Sequence, residues 1–360
     1  MAAAPAATGQ QGRTSMRSAL YAGNSTIVVE DRPAVPPGTG QVQIDVAYTG
    51  ICGTDLHVLH GAMDHRVQIP QTIGHEMSGR VAALGAGVDG LRVGMPVTVM
   101  PLRWCGSCPA CLAGHQHICH RLEFVGIDSP GAMQQQWTVP AELVIPLPED
   151  LPLLHAALVE PTAVAVHDVR RADLHRGDKA LVVGGGPVGV LIARVADAAG
   201  AEVVVLEVDP HRRAVAEKLG IRALDPALGD VAAEVAAWTA GAGPAVAFEV
   251  SGSAAGLTTA VDLLATRGRL VVVGIHNQPR ELDVFRFFWR ELSLVGARVY
   301  ERADYETAID LLTDGTIPAR TLITHVEPLA NAAAAFAALH GGGTVMKVLI
   351  DCRRSPHESL

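Results

Sequence analysis

The chain has 360 residues, 49% hydrophobic and 18% charged, with a formal net charge of −9. That length allows two domains with separate cores, and the acid excess leaves no basic face for a phosphate backbone, so nucleic acid is not an expected partner. No apolar run of about 20 residues is free of charges or glycine breaks, which argues against a membrane span. Residues 1–15, rich in Ala, Gln and Gly, lack the apolar stretch of a secretion signal. They read as a disordered leader, and the chain as cytoplasmic.

From Ser18 to about Val99 the pattern is short, alternating and punctuated by glycine. Gln41–Val46 alternates with period two, as a half-buried strand does. Gly79–Gly85 and Pro96–Met100 are expected as further strands of an irregular β-rich domain. The same stretch holds Cys52, in Gly50-Ile51-Cys52-Gly53-Thr54-Asp55, and the pair His75-Glu76 after Gly74. Cysteine, histidine and carboxylate gathered in one region are the donors of an open zinc site.

Next come Cys105, Cys108, Cys111 and Cys119, spaced C-x2-C-x2-C-x7-C. Such short loops let four sulfurs converge on one soft cation, and an all-thiolate tetrahedron with no open position predicts structural zinc. Paired disulfides suit a small secreted chain rather than this one. An iron–sulfur cluster is the closer competitor, though the run lacks the proline that follows the fourth cysteine in bacterial ferredoxins. With four thiolates filling the tetrahedron, His115, His117 and His120 are expected to be exposed.

Near Leu158 the pattern changes. Lys179–Val183, Val203–Glu207, Ala245–Glu249 and Arg269–Val273 are apolar strands, joined by helices such as Pro187–Ala199 and His211–Leu219. Apolar strands alternating with helices predict a doubly wound parallel sheet covered on both faces. Tyr305–Leu312 and Asn331–Leu339 are expected helices and Val345–Ile350 a closing strand. Gly184, Gly186 and Gly189 form G-x-G-x-x-G between a strand and a helix that Pro187 and Val188 open. The spacing gives a tight turn, room for a pyrophosphate, and close helix–strand packing. Glu207, at the end of the next strand, is placed to accept the ribose hydroxyls and repel a 2′-phosphate, which predicts NAD. His211, Arg212 and Arg213 follow it and keep NADP as the alternative.

Taken together, GICGTDLH, GHE, the four-cysteine lobe, the Val-Glu-Pro at 159–161 and GGGPVG resemble the zinc-dependent medium-chain alcohol dehydrogenases over nearly the whole chain. Phe124–Asp128 and Ala157–Pro161 look closest to the (R,R)-butanediol and sorbitol dehydrogenase branch, with L-threonine dehydrogenases as near relatives. The resemblance implies an α/β protein: a β-rich GroES-like catalytic domain (16–160 and 301–360) and a Rossmann domain (161–300). It implies one structural zinc and one catalytic zinc, the latter on Cys52 and His75. Where liver-type enzymes carry a third cysteine this chain has Glu160; Glu76 is the other carboxylate, and the order of the two stays open. Asp55 would then hold the free ring nitrogen of His75, Thr54 would bond the substrate hydroxyl, and His57 would pass its proton outward. His60 and His65 are expected in a surface loop, His167 as a packed helix residue and Cys352 as inert. The expected activity is reversible oxidation of a secondary alcohol, a vicinal diol or polyol, to the ketone with NAD. A homo-oligomer, dimer or tetramer, is expected. An L-threonine-type amino-alcohol dehydrogenase and a non-catalytic zinc- and NAD-binding regulator are the alternatives.

Overall fold

The computed structural model describes residues 15–340 and 345–353; the expected leader, save Ser15, lies outside them. The first half is organised around the strand Gln41–Gly50, which is buried from Val46 onward. Along one edge it pairs antiparallel with Glu76–Leu84. Along the other it pairs first with Gln136–Pro140 and then, near its end, with Lys347–Asp351. Register sets Gly50 opposite Glu76 on one side and Leu349 on the other. Residues far apart in sequence therefore meet at one end of this sheet. Pro96–Val99, Val144–Pro146 and Ile323–Pro328 complete it. A separate antiparallel hairpin, Met16–Tyr21 with Ile27–Arg32, begins the described fold.

The second sheet has six strands, all parallel. In space they run Arg222–Leu224, Glu202–Leu206, Lys179–Val183, Val246–Glu249, Arg269–Val272 and Ser293–Gly296. Numbered along the chain this order is 3-2-1-4-5-6, which reverses between Lys179–Val183 and Val246–Glu249, and ligands bind at such a reversal. Leu181, Val183, Val204 and Leu206 pack into one buried cluster, while Val182 and Val205 face the other. Both faces are covered, so no polar alternation survives in these strands.

Between the sheets runs the helix Val159–Arg171, packed on the helices Pro187–Ala198 and Arg302–Thr313 and on Glu76–Leu84. The four-cysteine lobe is pinched off at a two-residue antiparallel neck, Leu102–Arg103 with Glu123–Phe124. Among the described residues no helix is long and apolar enough to cross a membrane.

Candidate active site

The glycine loop follows the strand Lys179–Val183. Gly184 has φ 109°, a left-handed geometry that side chains disfavour. A Cβ on Gly189 would collide with the Gly184 carbonyl, so helix and loop could not close on any larger residue. Pro187 opens the helix at its first turn, where its missing N–H costs nothing. Glu207, one residue past its strand, accepts hydrogen bonds from the N–H groups of Gly185 (2.7 Å) and Asp209 (2.8 Å). Two fixed donors aim this buried carboxylate without saturating its lone pairs. The Arg212 guanidinium stands 3.9 Å from it. A cavity of about 660 Å³ runs from Glu207 and Arg212 past Gly184 and Gly186 to Cys52, Glu76 and Lys347. Val188 also lines it.

Cys52 caps the helix Gly53–Leu59, and the Asp55 carboxylate accepts its backbone N–H at 2.9 Å. The ligand atoms of Cys52, His75 and Glu76 lie within 4.8 Å of one another. The other Asp55 oxygen is 3.6 Å from His75 Nδ1, and neither atom makes a hydrogen bond. Gly50 is required here, because a Cβ would collide with the Glu76 carboxylate opposite it. Glu160, also buried, stands outside this threesome, on the first turn of Val159–Arg171 beside Tyr300. Burial raises its pKa to about 7, with the Glu76 charge adding to it and His75 opposing. His75 is pushed up to about 10: burial opposes its charged form, but Asp55, Cys52 and Glu160 outweigh that cost. Four potential anions thus enclose one imidazole, with buried Lys347 as the nearby cation. Such a donor set, deep and rich in negative charge, fits a divalent cation with one sulfur, one nitrogen and one carboxylate oxygen.

Lys347 was not foreseen. It forms a buried ion pair with Glu76 and donates to the Ile51 carbonyl at 3.0 Å. The one sequence signal for it is a lysine heading the apolar run Val348–Ile350, where a buried charge needs a partner. Thr54 and His57 both sit half-buried on the helix Gly53–Leu59, with no side-chain hydrogen-bond partner among the described residues.

In the lobe, Cys105, Cys108, Cys111 and Cys119 come within 4.8 Å of one another, and none forms a disulfide. Sulfurs of Cys105 and Cys108 lie 3.5 and 3.7 Å from that of Cys119. A tetrahedron with Zn–S bonds of about 2.3 Å has edges of about 3.8 Å, so the spacing fits. Backbone N–H groups of Cys105 and Arg121 point at Cys119 Sγ, and those of Cys111 and His120 at Cys108 Sγ. The Ser107 N–H leads the effects that lower the Cys105 thiol to about 5, whereas burial lifts Cys111 to about 12. His115 and His120 are exposed as expected, but His117 is buried. The lobe folds its 3-10 turn Gln116–Ile118 onto the helix Val159–Arg171, and the His117 ring packs edge-on against His167 at 5.0 Å. His60 and His65 are exposed, and His167 is packed, bonded through Nδ1 to Asp304 at 2.9 Å. Cys352 is buried, with its thiol pushed up to about 12 by burial.

Residues 38–149 match the alcohol dehydrogenase GroES-like domain and residues 187–314 the zinc-binding dehydrogenase family. The chain is 49% identical to 2-dehydro-3-deoxy-L-galactonate 5-dehydrogenase of Pseudoalteromonas atlantica, over 94% of this chain and 99% of that protein. The crystal structure of 2R,3R-butanediol dehydrogenase from Bacillus subtilis superimposes with a TM-score of 0.86 at 32% identity, covering 94% of this chain and all of that one. A Sinorhizobium meliloti protein described as a zinc-binding dehydrogenase, solved with NADP, gives 0.89 at 29% identity, with 94% and 100% covered.

Proposed function

Because the chain belongs to the zinc-dependent medium-chain alcohol dehydrogenases, we propose that it interconverts a secondary alcohol of a polyhydroxy compound and the ketone, with NAD as hydride acceptor. The observation that carries this reading is the single cavity joining the glycine loop and Glu207 to Cys52 and Glu76. Cys52, His75 and Glu76 would hold the catalytic zinc, with Glu160 as the reserve carboxylate, and the four lobe cysteines the structural one. Zinc supplies Lewis acidity toward the alcohol oxygen, and the nicotinamide accepts the hydride. Asp55 orients the His75 ring from behind. Thr54 takes the substrate proton into a hydrogen bond, and His57 passes it toward solvent. The turn at Gly184 and Gly186 and the N–H of Val188 at the helix start receive the pyrophosphate, Pro187 having none to donate. Glu207 accepts the ribose hydroxyls and disfavours a 2′-phosphate, although Arg212 stands close to it.

The division 16–160 with 301–360 for the metal sites and 161–300 for the cofactor belongs to the same reading. So does a homo-oligomer: Phe285, Phe288 and Trp289 are exposed on the helix Val284–Arg290, near the edge strand Ser293–Gly296. The test is NAD reduction, followed by absorbance, with vicinal diols, alditols, aldonic acids and L-threonine. Turnover of the polyhydroxy compounds with NAD preferred is expected. Turnover of L-threonine alone would favour the amino-alcohol reading, and none with any substrate, despite bound zinc and NAD, the regulatory one.

A further inference from the structure

Between the edge strand Ser293–Gly296 and the helix Arg302–Thr313 lies the link Ala297-Arg298-Val299-Tyr300-Glu301. Its polar side chains part company. Tyr300 is fully buried beside Glu160, its ring 4.8 Å from that of Tyr305. Glu301 reaches out to Arg170 at 3.0 Å and toward His117 at 3.5 Å. Arg298 comes within the electrostatic reach of a third group, Arg66 and Asp128. Between Arg298 and Tyr300, Val299 has φ 51°. A β-branched residue in the left-handed region is a genuine outlier that the surrounding structure must hold in place. Extended backbone would set positions 298 and 300 on one side; the left-handed residue between them lets one go to Glu160 and the other elsewhere.

What Arg298 meets is already satisfied. Arg66 grips Asp128 with both prongs, Nε to Oδ1 at 2.9 Å and an Nη to Oδ2 at 2.7 Å, and the Phe124 N–H also donates to Asp128 at 2.7 Å. Arg298 thus feels one carboxylate whose oxygens Arg66 and the Phe124 N–H already occupy, which leaves a net positive charge. Among the described residues Arg298 makes no hydrogen bond or ion pair, and it keeps an exposed side. Burial of its other side and the charge of Arg66 lower its pKa, with Asp128 opposing. The cluster connects to the metal ligands through Phe124. Phe124, whose N–H holds Asp128, packs its ring edge-on against the His75 imidazole at 5.0 Å. Tyr300, two residues from Arg298, stands against Glu160.

We infer that Arg298, backed by the Arg66–Asp128 pair, is a specificity-determining residue that receives the carboxylate of a polyhydroxy acid while one of its hydroxyls is presented to the open metal site. The inference rests on the dehydrogenase reading above and adds the charge of the substrate to it. A planar guanidinium with unused donors matches a carboxylate in two parallel hydrogen bonds, whereas a neutral polyol would leave that charge unanswered. The strained Val299 sets the anion receptor and the Glu160 partner on one short link. Arg66 cannot serve instead, because its fork is occupied.

The experiment uses the full zinc-loaded chain with gluconate, galactonate and mannonate, each set against its alditol: sorbitol, galactitol and mannitol. The wild type is expected to favour the acids, and the preference to shrink as salt rises. Arg298→Ala should lower the acid-to-alditol ratio of kcat/KM at least 10-fold, mainly through KM of the acid, and Arg298→Lys should restore part of it. Calorimetric binding of the preferred acid to the NADH complex should weaken by a similar factor, a readout independent of turnover. Equal losses on acid and alditol, or no loss on either, would overturn the inference, as would a wild type indifferent to the carboxylate. A wild type that oxidises alditols but shows no acid preference leaves the dehydrogenase reading standing without this refinement. One inactive on every polyhydroxy pair removes both.

Discussion

The two candidate metal centres are built in opposite ways. In the lobe, all four ligands lie between Cys105 and Cys119, and the N–H groups that support their sulfurs come from the same short run. At the open centre Cys52 caps a helix, Glu76 begins a strand, and His75 precedes it in a loop. Their supports, Gly50, Asp55 and Lys347, reach them through sheet register and burial. The lobe is a local device that any chain of this spacing can fold around an ion. The open centre is a property of the whole β-rich sheet, and it has room beside it for a cofactor.

The sharpest way to break this comparison is to delete one ligand from each centre. Cys52→Ala should lower turnover by roughly 10³-fold or more, since zinc contributes several kcal/mol of charge stabilisation. Metal analysis should fall from two zinc ions per chain to one, with the melting temperature little changed. Cys108→Ala should do the reverse. The lobe loses its ion and unravels, the melting temperature drops, and the folded fraction keeps zinc at the open centre. Loss of both ions in either variant would show that the centres are not independent.

A second test separates support from ligation. Lys347→Met removes the cation paired with buried Glu76. Breaking a buried pair by deleting one partner costs about 3–5 kcal/mol, because the remaining charge is stranded. A zinc ion bound to Glu76 would answer that charge. The expected result is a large fall in melting temperature for metal-free protein and a smaller one after zinc is restored. An equal fall in both forms would argue that Glu76 does not face the metal.

Sequence carried the four-cysteine cluster and the glycine turn, because each is contiguous and set by spacing. The parallel sheet was legible too, since strands such as Lys179–Val183 are buried on both faces and lack polar alternation. Lys347 was invisible, because only the pairing of Lys347–Asp351 with the end of Gln41–Gly50 brings it to Glu76. The link at Val299 escaped for a related reason: a left-handed residue breaks periodicity, and periodicity is what sequence reading uses. His117 was expected in solvent because ligand counting says nothing of what a lobe packs against, and its burial comes from docking on Val159–Arg171. Between Glu76 and Glu160 sequence left the choice open, and the geometry groups Glu76 with Cys52 and His75.

The smallest expected effect is the counterpart of the Lys347 test at the closed centre. Arg121 is the lobe's own cation, donating to the Ser107 hydroxyl at 2.7 Å and standing close to the Cys105 sulfur. Unlike Lys347 it is exposed, so water and salt take over its electrostatic work when it is lost. The N–H groups that hold the sulfurs are backbone donors, which truncating a side chain does not remove. Arg121→Ala should therefore leave two zinc ions per chain and a melting temperature within measurement scatter of the wild type. A small acceleration of zinc loss to a chelator at low ionic strength should vanish at high salt. If Arg121→Ala instead sheds the lobe zinc as readily as Cys108→Ala, the lobe is not self-contained. The contrast between a local centre and a fold-dependent one would then fail.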